Sequence, residues 1–470
     1  MNNPIPFEPG IPSASDDSKP PGDSLNSTPI NPVVHKTRLP NGLTLIEINQ
    51  PQLRTVHITV YIKTGSRYEP PEKNGVSHFL EHMVFRGTRQ YPTAFALNCA
   101  FESLGANVNG STTPDSTEYT VSLPSQSAKV GTSLLYQMVT DPHFNEMDTE
   151  RKIIAEEILE EFDEKGQCID VDSLSRARVW HHSSLGMPIT GTLDNVMDID
   201  HETLHRWFTE YYVASNMVIC VSGNIGSEAF RAYLRTQWGA IPTGSPHQCD
   251  ISPGGNNETP PTERFQHIHK PGSQTQLRLT FKTPGLLHPD YPAVELLLRL
   301  IDDGMSTPLH RNIFEDLALA YNIGAELEAY ADTGVLNIDA QASHENIVPI
   351  VVESLRIIRD LCRGEINDVD FEKARDRTIW DLESLQDFPG ALNGWYGEQE
   401  LYRESLSPEA AARRIKNVSL TDIIAVARRI FQKENFYITT VGTQSPGQQG
   451  KLKDAVFRFA GPDFKEGQKE

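Results

Sequence analysis

The first 33 residues show neither helical nor strand-like spacing of apolar positions. Pro, Ser, Asn and Asp dominate there. A segment with so little apolar surface cannot offset the entropy of ordering, so 1–33 is expected to be disordered. Order is expected from about Val34. Leu39-Pro40-Asn41-Gly42 is a turn signal, and a strand follows over 43–48. Val56, Ile58, Val60 and Ile62 then alternate with His57, Thr59, Tyr61 and Lys63, the period of two that marks a half-buried strand. Helical spacing takes over at 76–85 and 94–104, and 117–123 reads as a strand again. A long acidic helix is predicted over 148–163 and another helix over 202–212. Positions 217–222 form a short apolar run that ends in Gly223, as a buried strand would.

From 241 to 262 periodicity stops in favour of Pro, Gly, Ser and Asn, which predicts a linker. Beyond it the pattern begins afresh. Leu277, Leu279 and Phe281 alternate with Arg278, Thr280 and Lys282, and a Leu-rich helix follows at 293–301. Lys63-Thr64 recurs 219 positions later as Lys282-Thr283. Asn216, seven before Gly223, recurs at the same offset as Asn435, seven before Gly442. Asn145–Glu150 resembles 367–372 at an offset of 222. Together these anchors predict two copies of one α+β unit, at 34–240 and 263–446, with 447–470 as a flexible charged tail holding at most one short element.

Composition narrows the picture. The chain has 470 residues, enough for two or three domains. Its formal charge of −21 argues against binding nucleic acid or an anionic membrane. The five cysteines (Cys99, Cys168, Cys220, Cys249, Cys362) are odd in number and lack CxxC spacing, so neither a disulfide framework nor a cysteine metal site is expected. No apolar run reaches 18 residues, and residues 1–30 have neither a signal peptide's apolar core nor a basic amphipathic face. A cytoplasmic protein with no membrane span is the expectation.

The candidate chemistry sits on the first helix. His78 and His82 are four apart and share a face, with Glu81 at its edge. Two imidazoles so spaced can hold one Zn2+, and a carboxylate beside them can accept a proton from a water whose pKa the metal brings to roughly 7. One helical face cannot supply a third ligand. On the acidic helix, Glu150, Glu157 and Glu161 fall on the side of Ile153 and Ile154, whereas Glu156 and Glu160 point elsewhere. A carboxylate on an apolar face needs a partner, which leaves Glu157 or Glu161 as the ligand with Glu150 close by. In the second copy, His78, Glu81 and His82 correspond to Leu297, Leu300 and Ile301, and Glu157 to Ile379. Four polar positions of one copy are aliphatic in the other, the pattern of a buried face with a site built into one copy only. His181-His182 lacks ligand spacing and reads as surface or loop.

His78-x-x-Glu81-His82 is the inverzincin signature. Its surroundings resemble the pitrilysin and mitochondrial processing peptidase family: GVSHFLEHMVFRGT at 75–88, GANVN at 105–109 with Thr117 and Tyr119, ERKIIAEE at 150–157, LGMPITGT at 185–192, YYVASN at 211–216, and Ala320-Tyr321 with Tyr330, Asp332 and Gly334. The resemblance implies two homologous α+β domains, each a mostly antiparallel sheet covered by helices, forming half of a clam shell. It makes Glu157 the third zinc ligand, Glu81 the general base, and Glu150 a supporting carboxylate of the catalytic machinery. It places Asn109 on an edge strand that pairs with substrate backbone. It also assigns Tyr321 to substrate binding. Active members carry an arginine seven residues before that tyrosine; here the position is Phe314, and Arg311 lies a turn earlier. The resemblance thus implies a zinc-bearing subunit acting on peptides or unfolded polypeptide, paired with a homologous partner that supplies the Arg/Tyr pair, or a homodimer. A non-catalytic interaction subunit, and a peptide-binding module with a structural metal, are the alternatives.

Overall fold

The computed structural model describes residues 32–245, 263–403 and 405–459. Most of the expected disordered segment and of the expected linker lie outside the described residues, while Val33, expected in the former, already belongs to a strand.

Two sheets organise the chain. The first is built from β1 (Val33–Arg38), β2 (Thr44–Asn49), β3 (Thr55–Ile62), β4 (Asn107–Thr112), β5 (Thr117–Pro124) and β6 (Met217–Gly223), in the spatial order β1-β2-β6-β3-β5-β4. The second is built from β7 (Phe265–His269), β8 (Thr275–Pro284), β9 (Asn322–Ala329), β10 (Thr333–Ala342) and β11 (Phe436–Gly442), in the order β7-β11-β8-β10-β9. Neighbouring strands are antiparallel except for one parallel pair per sheet, β2 with β6 and β7 with β11. Leaving out β1, the two orders superpose strand for strand, as a duplication requires.

The repeat anchors have a structural cause. Asn216 Nδ2 donates to the carbonyls of Lys63 (2.9 Å) and Tyr211 (3.0 Å). Asn435 Nδ2 donates to the carbonyls of Lys282 (2.7 Å) and Ile430 (2.7 Å). All three partners are related by the same offset of 219 positions. Each asparagine ties the end of a helix to the end of a strand, where an unpaired buried carbonyl would be costly.

The helices that carry each copy's repeat lie on one face of its sheet. In the first domain β3 packs its Val56, Ile58, Val60 and Ile62 against Phe79, Leu80, Met83, Ile154 and Ile158 of the two helices predicted to hold the site. The other face is covered by exchange. Helix Pro389–Glu400, from the second half of the sequence, lays Leu392 and Tyr396 on Ile46, Tyr61, Val218 and Cys220 of the first sheet. Asn393 Nδ2 donates to the carbonyls of His57 (3.1 Å) and Cys220 (3.3 Å). Conversely helix Val171–Val179, from the first half, packs Val179 with Trp180 against Val335 and Tyr437 of the second sheet. Ser175 and Thr280 hydroxyls meet at 3.0 Å. β6 and β11, covered on both faces, are buried along their whole length, which explains their unbroken apolar runs.

A buried ion triad spans the two domains. Arg67 donates to Asp115 (2.6 Å) and to Asp332 (2.8 Å), and Asp115 Oδ2 also accepts the Ala331 N–H (2.9 Å). The β4–β5 turn is thereby fastened to the β9–β10 turn.

Two expectations need correction. The 447–470 tail begins with a full helix, Pro446–Arg458, whose Leu452 and Val456 are buried in the second core. Gly and Gln in its first turns and a narrow apolar stripe hid it, although Ser445 and Gln448 form a capping box. On the acidic helix, Met147–Glu160, Ile154 and Ile158 are buried but Ile153 is 46% exposed, so the buried face is turned away from Ile153 and runs Glu150, Ile154, Ile158. Among the described residues, no helix is long and apolar enough to cross a membrane.

Candidate metal centre

Helix Val76–Val84 is short, nine residues, and nearly all of it is buried. Gly75 precedes it at φ 97°, and a Cβ there would lie 2.8 Å from Gly191 Cα, so only glycine fits both the turn and the close approach. Glu69, itself 4% exposed, accepts the N–H groups of Gly75 (2.7 Å) and Ser77 (2.7 Å) and the Asn74 side-chain amide (2.9 Å). A carboxylate at a helix N-terminus satisfies orphan donors and suits the helix dipole. Nothing in the spacing of residues around Glu69 foretold this contact.

From this helix the rings of His78 and His82 stand 4.5 Å apart. Their Nε2 atoms face the two oxygens of Glu157, His78 at 3.7 Å and His82 at 3.8 Å. Ligand atoms of His78, His82 and Glu157 all lie within 4.8 Å of one another. Glu161, the other carboxylate left open by periodicity, instead accepts the Ser173 hydroxyl at 2.7 Å.

Glu150 lies behind His82. Its Oε1 is 2.7 Å from His82 Nδ1, and Oε2 is held by Arg86. Burial alone would raise the Glu150 carboxyl, but the His82 hydrogen bond and the Arg86 guanidinium outweigh it and hold the group below the usual carboxylate range. For His82 burial acts downward, and the contacts with Glu150, Glu81 and Glu157 overcome it and raise the ring. His78 is pushed down to about 3 by burial and by the neighbouring imidazole, so it is neutral and available as a donor. Its Nδ1 is buried without a hydrogen-bond partner.

Glu81 is 8% exposed, and burial raises its carboxyl while a hydrogen bond from Thr112 opposes the shift. Thr112 Oγ1 donates to Glu81 Oε2 at 2.8 Å. Gly110, two residues earlier on β4, leaves room for the other oxygen, since a Cβ there would sit 2.7 Å from Oε1. The glutamate thus stands between the His-bearing helix and the edge strand. A cleft of about 970 Å³ opens over His78, His82, Glu81 and Glu157, with Gly110, Ser111 and Thr112 of β4 along one side.

Comparison with known proteins identifies the family. Residues 44–193 match the model of the insulinase peptidases (peptidase family M16), and residues 198–378 match that of the M16 inactive domain. The chain belongs to the M16 peptidase family. An uncharacterized zinc protease of Rickettsia bellii is 27% identical over 84% of this chain and 94% of its own length. Another, from Streptomyces coelicolor, is 26% identical over 90% and 92%. Two solved structures share the fold: a protease from Helicobacter pylori (TM-score 0.79, 18% identity, 88% of this chain and 100% of the other) and an M16 inactive domain from Pseudomonas fluorescens (0.77, 19%, 88% and 100%).

M16 peptidases use zinc, and the donor set here suits it. Two imidazole nitrogens and one carboxylate leave a fourth position open, as hydrolytic zinc sites do. One ligand atom from each of the three residues lies within 4.8 Å of the others, so a single ion could be shared among them after a small inward movement of the side chains. The Glu150 carboxylate on His82 Nδ1 is the customary backing for a metal-bound ring. The degenerate copy is equally clear: Leu297, Leu300, Ile301 and Ile379 are all buried in the second core.

The remaining expected residues lie elsewhere. Asn109 is exposed on β4, the free edge of the first sheet, beside but not among the residues lining the cleft. Tyr321 is 89% exposed and outside that cleft, with its ring 6.1 Å from Phe314. Phe314 packs partly into the second core, and Arg311 turns its Nε to Asn312 Oδ1 at 3.3 Å.

Proposed function

We propose that this chain hydrolyses peptide bonds as the zinc-bearing subunit of a metalloendopeptidase, with His78, His82 and Glu157 holding the metal and Glu81 as general base. The reading rests on one observation: ligand atoms from two separate helices converge within 4.8 Å, with a buried carboxylate beside them. When bound, zinc supplies a Lewis acid that makes a water acidic near neutrality and polarises a carbonyl. Glu81 takes the proton of the attacking water and returns it to the leaving amine. Its raised pKa suits both halves of that transfer. Glu150 fixes the tautomer of His82 by holding Nδ1–H. Asn109 and the open edge of β4 take up the substrate backbone by strand addition.

We further propose that a second chain completes the enzyme. Tyr321 is 89% exposed and does not line the cleft, which favours a role outside its own chain's site. With Phe314 at the arginine position, a homologous partner supplying an Arg/Tyr pair is favoured over a homodimer. The thiols of Cys99, Cys168, Cys220 and Cys362 are free, which fits a reducing, cytoplasmic setting.

The decisive experiment pairs zinc analysis with a peptide-library digest of Glu81→Gln, alone and with copurified partners. The variant is expected to keep its zinc and to lose about 10²–10⁴-fold in turnover. Full activity would remove Glu81 as the base. Robust turnover by the purified wild-type chain would remove the need for a heterologous partner.

A further inference from the structure

A second cavity, of about 240 Å³, lies in the second domain, and none of its residues lines the cleft at His78. Tyr291 and Glu295 face it from helix Tyr291–Ile301, one turn apart. Trp395 and Glu398 face it from the exchanged helix Pro389–Glu400, Arg403 from the segment just after, and Arg414 from helix Pro408–Lys416. Leu286, Leu382 and Ile415 add apolar wall.

The two carboxylates and two guanidiniums share this space without pairing. Glu295, Glu398, Arg403 and Arg414 make no ion pair or side-chain hydrogen bond among the described residues. The Nε of Arg403 is buried with no acceptor. Arg299, the nearest cation on the Glu295 helix, is taken by Asp303 and Asp381. Unpaired charge in a half-buried place is costly. Burial raises Glu295 to about 7 against the pull of Arg299 and Arg403, and burial with Arg414 lowers Arg403 against the pull of Glu295, so the two opposite charges attract across the cavity without touching. Glu398 and Arg414 are exposed as residues, although burial of its carboxyl still raises Glu398 to about 7.

We propose that this cavity binds a small zwitterion with an apolar side chain, a free α-amino acid or a dipeptide. The ligand's ammonium pairs with Glu295, its carboxylate with Arg403, and its side chain lies among Tyr291, Trp395 and the aliphatic wall. One molecule carrying both charges meets both groups at once, and the volume suits a small ligand.

Calorimetric titration of the full-length, zinc-loaded protein tests this, with leucine, leucyl-leucine, N-acetyl-leucine and leucinamide as probes. One equivalent of leucine or of leucyl-leucine is expected to bind, and whichever binds more tightly identifies the ligand as amino acid or dipeptide. N-acetyl-leucine lacks the ammonium and leucinamide the carboxylate, and each is expected to bind about tenfold or more weakly. Glu295→Gln and Arg403→Gln should weaken the zwitterion to a similar degree, and circular dichroism checks their folding. If one variant fails to fold, the other decides together with the blocked ligands. Failure of both zwitterions to bind overturns the proposal. So does equal binding of the blocked forms, or binding that survives in both variants, which would put the ligand on the metal.

Discussion

Glu150 holds two cations at once, the His82 ring and the Arg86 guanidinium, and both contacts depend on its being ionised. Glu150→Gln keeps the shape but weakens its hold on His82, and is expected to lower zinc affinity by about 10–100-fold, read by competition with a chelating dye. In metal-free protein the pair has a defined pH window. Glu150, with its pKa lowered, stabilises above its unfolded value of about 4.3 and loses that contribution as pH falls through its folded value. His82, with its pKa raised, stabilises below about 6.5 and loses that contribution as pH rises through its folded value. The apoprotein is therefore expected to gain most from the pair between about pH 4.3 and 6.5. Zinc binding runs the other way, because the metal competes with the proton on His82. Melting curves of the apo and zinc-loaded forms across pH 4–8 should diverge steadily as pH rises. Ligand spacing on one helix made His78, Glu81 and His82 legible in the sequence. Thr112 and Glu69 were not legible, since a hydroxyl 31 residues away and a capping carboxylate outside the helix obey no period.

At the scale of elements, the His-bearing helix is anchored from its N-terminus. Glu69→Ala leaves the Gly75 and Ser77 N–H groups buried without an acceptor, which should cost about 1–3 kcal/mol in urea unfolding and reduce zinc affinity. Glu69→Gln should retain part of both, because its amide oxygen can still accept. The strands announced themselves by alternation, and the duplication by Asn216 and Asn435, whose hydrogen bonds demand that residue at that place. Which sheet a helix covers was illegible. Helices Val171–Val179 and Pro389–Glu400 present apolar faces like any other, and amphipathicity says that a face is buried but not against what. The misplacement of Ile153 has a similar origin: adjacent isoleucines straddle the boundary of a stripe, and packing alone decides which one is inside.

Across the whole molecule, the Arg67 triad joins the turn beside the β4 edge to the second domain. Arg67→Met removes the one cation between two buried aspartates, and a loss of about 3–5 kcal/mol is expected in denaturant titration. Adding Asp332→Asn should restore part of it, since one uncompensated charge then goes. A construction fault at the opposite contact is also predictable. At Gly397 a Cβ would meet the Tyr61 ring at 2.1 Å, so Gly397→Ala should lift the exchanged helix from the first sheet and lower the melting temperature without touching any proposed ligand.

The traded helices also set a timetable for biosynthesis. A ribosome delivers the zinc ligands early, yet the outer cover of their sheet is translated only after position 388. Until then Ile46, Tyr61, Val218 and Cys220 form an oily surface open to water, the kind that chaperones recognise. The nascent peptidase half thus waits, unfinished, for its sibling, and a chain released prematurely at the junction between the copies would leave that surface bare.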